Sequence, residues 1–472
     1  MVFSSVVFLF VYLVLVLGIY FIIPRRARNV FLLISSLLFY AWGEPSLVLL
    51  MILSIILNWF AGISVDFYLK KDNVRRAKLI LALFMTLDVA LLVFYKYTGF
   101  LFDNVNTLFG IELPATDFFK NLVMPIGISF YTFQMMSYVI DVYRRDAKVQ
   151  MNIIDFGCYV SLFPQLIAGP IVQYKTIAEQ LKNRRETLVG FSQGVVRFVI
   201  GLSKKVIIAN SCGFLYETIY KMDFATLPAL TAFLGALAFS FQIYFDFSGY
   251  SDMAIGLGKM MGFEFLENFN YPYVAKSVTD FWRRWHISLS TWFRDYVYIT
   301  LGGNRNGRAK QIRNIAVVWV LTGIWHGASW NFVLWGAWFG ALLILEKLFL
   351  LKWLEKLPKF VGHLWALFCA YFGWVIFSHD KGFGPLLDFV KALFGKSGVF
   401  ADTNTLWILS NYAILFVIAG IASTPLVRTL WKKIEKYSFA PPLRIVCVFA
   451  LLFLCIAFTV ASTYNPFIYF RF

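Results

Sequence analysis

Long apolar stretches recur along this chain, and clusters of lysine and arginine punctuate them. About 20 apolar residues in a helix span the ~30 Å hydrocarbon core of a bilayer. A chain that repeats this pattern end to end folds as a polytopic helical membrane protein. Composition agrees: charged residues make up 15% of the chain and hydrophobic ones 60%, where a soluble domain carries roughly 25% charged residues. With 52 Phe and 15 Trp, one soluble core could not bury the apolar surface. An ordinary soluble enzyme and a disordered chain are both excluded. The net charge of +17 follows from topology, because Lys and Arg gather in cytoplasmic loops; a nucleic-acid partner is not expected.

The basic clusters orient the spans. Residues 1–23 are apolar, with no basic residue before them and no small-residue cleavage site after them. They read as a span and not as a signal peptide. Arg25, Arg26 and Arg28 follow, which puts that end in the cytoplasm and the N-terminus outside. Residues 30–68 form two stretches divided by Gly43-Glu44-Pro45 and bounded by Lys70, Lys71, Arg75, Arg76 and Lys78, an in–out–in hairpin. Residues 79–97 run outward and 122–142 return to Arg144, Arg145 and Lys148.

The middle is less regular. Residues 156–172 hold Pro164, Gly169 and Pro170, a pattern of re-entrant structure that protein must shield. Residues 190–209 carry Arg197, Lys204 and Lys205 and read as interfacial or partly buried, while 227–247 is a plain span. Residues 280–300 are aromatic yet too charged to face lipid alone. Regular spans resume at 312–325, 329–350, 364–377, 406–427 and 445–461, so the C-terminus is expected outside. The expectation is an all-α membrane protein with about eleven transmembrane helices plus re-entrant or interfacial helices. Residues 1–472 read as one polytopic domain, with a functional core over about 120–350.

Five cysteines are present and none form a C-x-x-C pair. Cys158, Cys369, Cys447 and Cys455 lie in apolar runs and read as small buried hydrophobes. Cys447 and Cys455 share one predicted helix about 12 Å apart, too far to bridge.

Chemistry is confined to few groups. Of four histidines, His363 and His379 read as ordinary interfacial residues. His326 sits in Trp325-His326-Gly327-Ala328-Ser329-Trp330-Asn331, at the tip of an apolar hairpin. Thirteen residues from Arg313 place it about 20 Å along a helix, within membrane depth. An ionisable residue there is a functional candidate; the plain alternative is a histidine satisfied by a neighbouring helix backbone. Gly327 and Ala328 leave room for close approach. His286 lies in Phe281-Trp282-Arg283-Arg284-Trp285-His286. Aromatics and arginines together suit an anionic ligand with a flat ring, or else an interfacial belt with snorkelling arginines. A neutral imidazole can take a proton from a hydroxyl attacking a thioester. No metal-ligand pattern or P-loop occurs. Asp246 and Asp252, in Phe245-Asp246-Phe247-Ser248-Gly249-Tyr250-Ser251-Asp252, read as a helix break with capped ends, or as the cation site of a transporter or flippase.

The stretch Asn268-Phe269-Asn270-Tyr271-Pro272-Tyr273, with Trp282-Arg283-Arg284-Trp285-His286, Gly302-Gly303-Asn304-Arg305 and Trp325-His326-Gly327-Ala328, resembles the membrane-bound O-acyltransferase family. Met1-Val2-Phe3-Ser4-Ser5, Phe39-Tyr40-Ala41-Trp42, Pro164-Gln165-Leu166-Ile167-Ala168-Gly169-Pro170 and the ending Pro466-Phe467-Ile468-Tyr469-Phe470 look like its alginate O-acetyltransferase and peptidoglycan O-acetyltransferase branch. The resemblance implies a funnel-shaped helical fold with a central tunnel in the cell (inner) membrane. It implies His326 as the essential histidine and His286 as the second, with Trp282, Arg283, Arg284, Trp285, Trp325 and Asn331 lining the donor path. The donor would be acetyl-CoA or another acetyl thioester, with no metal. An extracytoplasmic acetyltransferase would complete delivery to the polysaccharide, and an acyl carrier protein is a further partner of such systems. The tail around Tyr469 looks like the C-terminal peptide of D-alanylation systems, where a tyrosine hydroxyl carries the acyl group; its plain alternative is an aromatic anchor. D-alanyl transfer to teichoic acid is the related alternative activity.

Overall fold

The structure, a computed structural model, describes residues 2–110, 122–379, 382–461 and 464–468. Among the described residues all regular structure is helical. Eight helices among them are long and apolar enough to cross a membrane: Val48–Lys70, Val74–Phe109, Leu188–Tyr220, Ala229–Met260, Trp330–Leu354, Lys359–Ser378, Thr403–Ala422 and Ala440–Ala461. The protein is therefore a multi-pass membrane protein.

The other apolar runs become shorter or more polar helices. Phe8–Ile22 is a shorter apolar helix, Arg28–Ala41 has 14 residues, and Arg308–His326 starts with basic residues. Ile128–Arg144 has 17 residues and is buried along most of its length. It begins where Gly127 takes a positive φ of 72°, and a Cβ there would sit 2.8 Å from the Leu166 carbonyl oxygen. Counting apolar runs cannot separate a helix that faces lipid from one wrapped in protein.

By contact the chain divides into two compact units, Met1–Phe198 with Ser251–Leu266, and Val199–Tyr250 with Glu267–Phe472. In the first unit, helix Ile153–Ser161 breaks at Leu162 (ψ 111°) and gives way to the single turn Phe163–Leu166. The chain then runs extended toward helix Tyr174–Asn183. Residues 155–174 are all buried, so protein shields this irregular backbone, as lipid could not. Side chains serve its polar groups: Gln165 Nε2 donates to the Tyr159 carbonyl (2.6 Å) and the Tyr159 hydroxyl to the Val172 carbonyl (2.8 Å).

Of the two readings of residues 190–209 the structure takes the partly buried one: they belong to the continuous helix Leu188–Tyr220, about 61% of whose apolar window is buried. One sequence expectation changes here. The chain does not break at 246–252, which lies inside the 32-residue helix Ala229–Met260. The carboxylates that suggested a break are neutralised by charged side chains. Within the second unit Asp246 pairs with Lys205 at 2.6 Å. Within the first, Asp252 pairs with Arg197 at 2.6 Å. Glycines let the backbones close in: a Cβ on Gly249 would meet the Gly201 carbonyl oxygen at 2.7 Å, and one on Gly256 the Gly194 oxygen at 2.6 Å. Small residues at crossings are how membrane helices approach.

The core of the second unit is aromatic. It packs Phe281, Trp285, Trp319, Trp335, Phe339, Trp374 and Phe377 into one buried cluster.

Candidate functional site

His326 is the last residue of helix Arg308–His326. Gly327 is extended, and the next helix begins at Trp330. The helix pair is tightly joined, since a Cβ on Gly323 would lie 2.5 Å from the Phe332 carbonyl oxygen, and one on Gly336 2.5 Å from that of Trp319. What uses the space at Gly327 is the Phe332 ring, 2.3 Å from a built Cβ. His326 itself is 4% exposed. Its ring lies edge-on to Trp335 (4.7 Å between centroids), Trp325 (5.0 Å) and Phe377 (5.3 Å).

His286 sits on a different kind of backbone. The short helix Val278–Trp282 ends, the chain turns, and His286 caps helix Ile287–Phe293 with φ 43° and ψ 55°. A non-glycine residue in the left-handed region is uncommon and costs energy unless its surroundings hold it there. Asn268 holds it. Its Oδ1 accepts from the Ser288 N–H (3.1 Å) and the Ser288 hydroxyl (2.9 Å), and lies 3.1 Å from His286 Nδ1. The Asn268 carbonyl accepts from the Ile287 N–H at 2.9 Å. Because a backbone N–H already identifies that side-chain atom as an oxygen acceptor, Nδ1 of His286 is assigned the proton and Nε2 the lone pair. The ring is 1% exposed, and burial pushes its pKa down to about 3. It is neutral.

One indole joins the two histidines. The Trp325 ring centroid lies 5.0 Å from that of His326 and 6.1 Å from that of His286. Around them Trp285 packs on Trp374 (4.6 Å) and Trp282 on Trp319 (4.6 Å). The buried indole N–H groups of Trp282 and Trp335 have no acceptor among the described residues.

This constellation lies inside a longer match. The family described as "MBOAT, membrane-bound O-acyltransferase family" matches residues 81–381. The chain is 42% identical to a probable alginate O-acetylase of Azotobacter vinelandii, over 87% of this chain and 80% of the relative. It is 38% identical to a probable alginate O-acetylase of Pseudomonas putida over the full length of both. It is 33% identical to a peptidoglycan O-acetyltransferase of Helicobacter pylori, over 84% of this chain and 80% of the relative. The chain belongs to the membrane-bound O-acyltransferase family. It is an acyltransferase.

Within this acyltransferase the remaining sequence-predicted residues divide. Trp282, Trp285 and Trp325 join the aromatic cluster around the imidazoles. Asn331 is fully buried and its Nδ2 donates to the Phe377 carbonyl at 3.3 Å, so it ties two helices near His326. Arg284 pairs with Asp280 at 2.9 Å, and Arg283 is exposed. Tyr469 lies outside the described residues. His363 is half-buried, with Nδ1 3.0 Å from the Ala275 carbonyl. His379 is not interfacial but fully buried, with Nδ1 2.8 Å from the Val375 carbonyl and its ring on Phe389. Among the described residues no group of three His, Cys, Asp or Glu could hold a metal ion.

Sequence reasoning gave no role to Asn268, Trp335, Trp374 or Phe377. It also passed over the pair Lys205–Asp246, whose side chains are 3% and 2% exposed. That pair holds the chain's last described segment. Asp246 Oδ2 accepts from the Ile468 N–H at 2.9 Å, Lys205 Nζ donates to the Pro466 carbonyl, and Phe467 packs on Tyr250 at 4.9 Å.

Proposed function

We propose that this acyltransferase takes an acetyl group from a cytoplasmic thioester, acetyl-CoA or another acetyl thioester, and passes it across the cell's inner membrane. The acceptor is a hydroxyl on the path to an extracytoplasmic cell-envelope polysaccharide of the alginate or peptidoglycan kind. Relatives named for those two substrates support the acetyl reading. The observation that supports the mechanism is the single Trp325 indole, with its ring beside both imidazoles, which brings together two segments 40 residues apart.

His326 is the general base. It takes the proton as the acceptor oxygen attacks the thioester carbonyl, and returns it to the departing thiolate as the C–S bond breaks. The intermediate's oxyanion needs donors. In its assigned tautomer His286 offers Nε2 as an acceptor, so it fits orientation of the acceptor hydroxyl better than oxyanion binding. The indole N–H groups of Trp282 and Trp335 fit the oxyanion better. Exposed Arg283, with Arg284, suits the phosphates of a cytoplasmic donor. With the rings 4% and 1% exposed, admission of donor and acceptor requires an opening motion. Both termini lie on the outer side, where an extracytoplasmic acetyltransferase partner takes the product; Tyr469 is the candidate acyl carrier on that side. An acyl carrier protein is the alternative source of the thioester.

The transporter reading loses its footing, because both carboxylates it would use are paired with basic side chains. The test uses purified protein with its partner and radiolabelled acetyl-CoA. His326→Ala should abolish label transfer to the acceptor. Equal transfer by wild type and variant would reject the proposal.

A further inference from the structure

A recess in the first unit belongs to no part of the acyl-transfer chemistry. It encloses about 390 Å³ and is lined by Phe21, Arg25, Arg28, Glu186, Leu188 and Phe191, with Thr187 at its edge. Its walls are of two kinds. Leu188 is 90% exposed and Phe21 41% exposed, and Phe191 packs edge-on to Phe21 at 5.6 Å. This apolar wall adjoins the end of helix Phe8–Ile22. The polar wall is cationic. Arg28 pairs with Glu186 at 2.7 Å, and Arg184 lies 3.8 Å from the same carboxylate. The Tyr20 hydroxyl donates to Glu186 at 2.6 Å.

One carboxylate thus faces two arginines, and Arg25 adds a third cation at the rim. Glu186 alone cannot balance them, so the recess carries a net positive charge of two from these four groups. The Arg28 side chain is only 12% exposed, and its buried Nε–H has no acceptor among the described residues. A buried charged donor without an acceptor is costly. The ligand that answers all of this is an anion flanked by hydrocarbon. A soluble anion would gain nothing from exposed Leu188 and Phe21. An acyl-bearing phosphodiester uses both walls, and the recess lies where the apolar helix Phe8–Ile22 ends in basic residues and the membrane-crossing helix Leu188–Tyr220 begins, the level at which headgroups lie.

We infer that this recess binds the headgroup of an anionic phospholipid, its phosphate on Arg25 and Arg28 and the start of its acyl chains on Phe21, Leu188 and Phe191. Guanidinium groups recognise phosphate by paired N–H donors, and juxtamembrane basic clusters recognise anionic lipid.

The test is native mass spectrometry of the full-length protein in detergent, titrated with phosphatidylglycerol or phosphatidylcholine. Wild type should retain phosphatidylglycerol and not phosphatidylcholine. Arg25→Gln leaves the Arg28–Glu186 pair in place and should weaken phosphatidylglycerol retention at least tenfold. The double variant Arg28→Gln/Glu186→Gln removes the buried pair as a unit and should also lose the lipid while keeping the wild-type circular dichroism spectrum. Equal retention of the two lipids, or unchanged phosphatidylglycerol retention in Arg25→Gln, overturns the inference. So does displacement of the lipid by millimolar inorganic phosphate, which would mark the recess as a site for the free anion.

Discussion

His326 and His286 reach the same indole from opposite kinds of backbone. His326 ends a 19-residue helix, and its neighbours are aromatic rings. His286 stands on a left-handed corner that exists because the Asn268 amide oxygen gathers donors from residues 286 and 288. The helix presents its histidine at a depth set by residue count. The corner presents its histidine with a chosen tautomer. Base chemistry needs the first, and orientation of a partner needs the second. Under the proposed mechanism, that difference suits the two residues to different roles.

The largest effect that tests this contrast is on rate. His326→Ala should lower acetyl transfer by ~10²–10⁴-fold while the variant keeps a cooperative melting transition, because the substitution falls at the last residue of its helix and alanine is a good helix former. A collapse of folding in that variant would place His326 among the structural residues instead.

Next comes the buried pair below the tail. Lys205→Met strands Asp246 in a site 2% exposed and should cost ~3–5 kcal/mol in chemical denaturation. Lys205→Met/Asp246→Asn together should recover most of that loss. Replacing Arg197, whose side chain is 33% exposed against 9% for Asp252, should cost less than breaking the fully buried pair, because water reaches the space the guanidinium leaves. Equal costs for the two pairs would show that burial does not set their strength.

At the corner, Asn268→Ala leaves the buried Ser288 N–H without its acceptor and should cost ~1–3 kcal/mol. It should also impair transfer by freeing the His286 tautomer, a readout that a merely structural asparagine would not move.

The smallest effect is at an exposed helix start. Asp402 and Thr405 form a capping box, and Asp402→Ala should cost ~1 kcal/mol. Hydrogen bonds from Thr405 hold the Asp402 carboxyl below its ordinary value. A depressed carboxylate contributes stability above its unfolded pKa of ~3.9 and loses it as pH falls through the lower folded value. The wild-type and Asp402→Ala melting curves should therefore differ at neutral pH and converge in acid.

Part of this architecture is legible in the sequence. The 312–325 run places His326 at the end of a helix, as observed, and Pro164, Gly169 and Pro170 mark a broken segment, which the structure buries. Asp246 and Asp252 mislead, because two carboxylates in an apolar helix look like an interruption until their partners are seen. Those partners, Lys205 and Arg197, instead make their own segment look interfacial. Polarity is read run by run, and the charges cancel only between runs. Asn268 is visible in a motif, but its task is to bond residues 18 and 20 positions later.

Hydropathy and the placement of basic residues act locally along a chain. They are enough to dictate a helical protein that crosses the membrane many times and carries very few groups fit for proton transfer. Which of those groups meet is settled by the packing of distant segments. The left-handed turn at His286, the Trp325 indole between two imidazoles and the ion pair that seats the tail all depend on contacts between residues far apart in the chain. Their energies come from desolvation and packing, which no window of neighbouring residues contains.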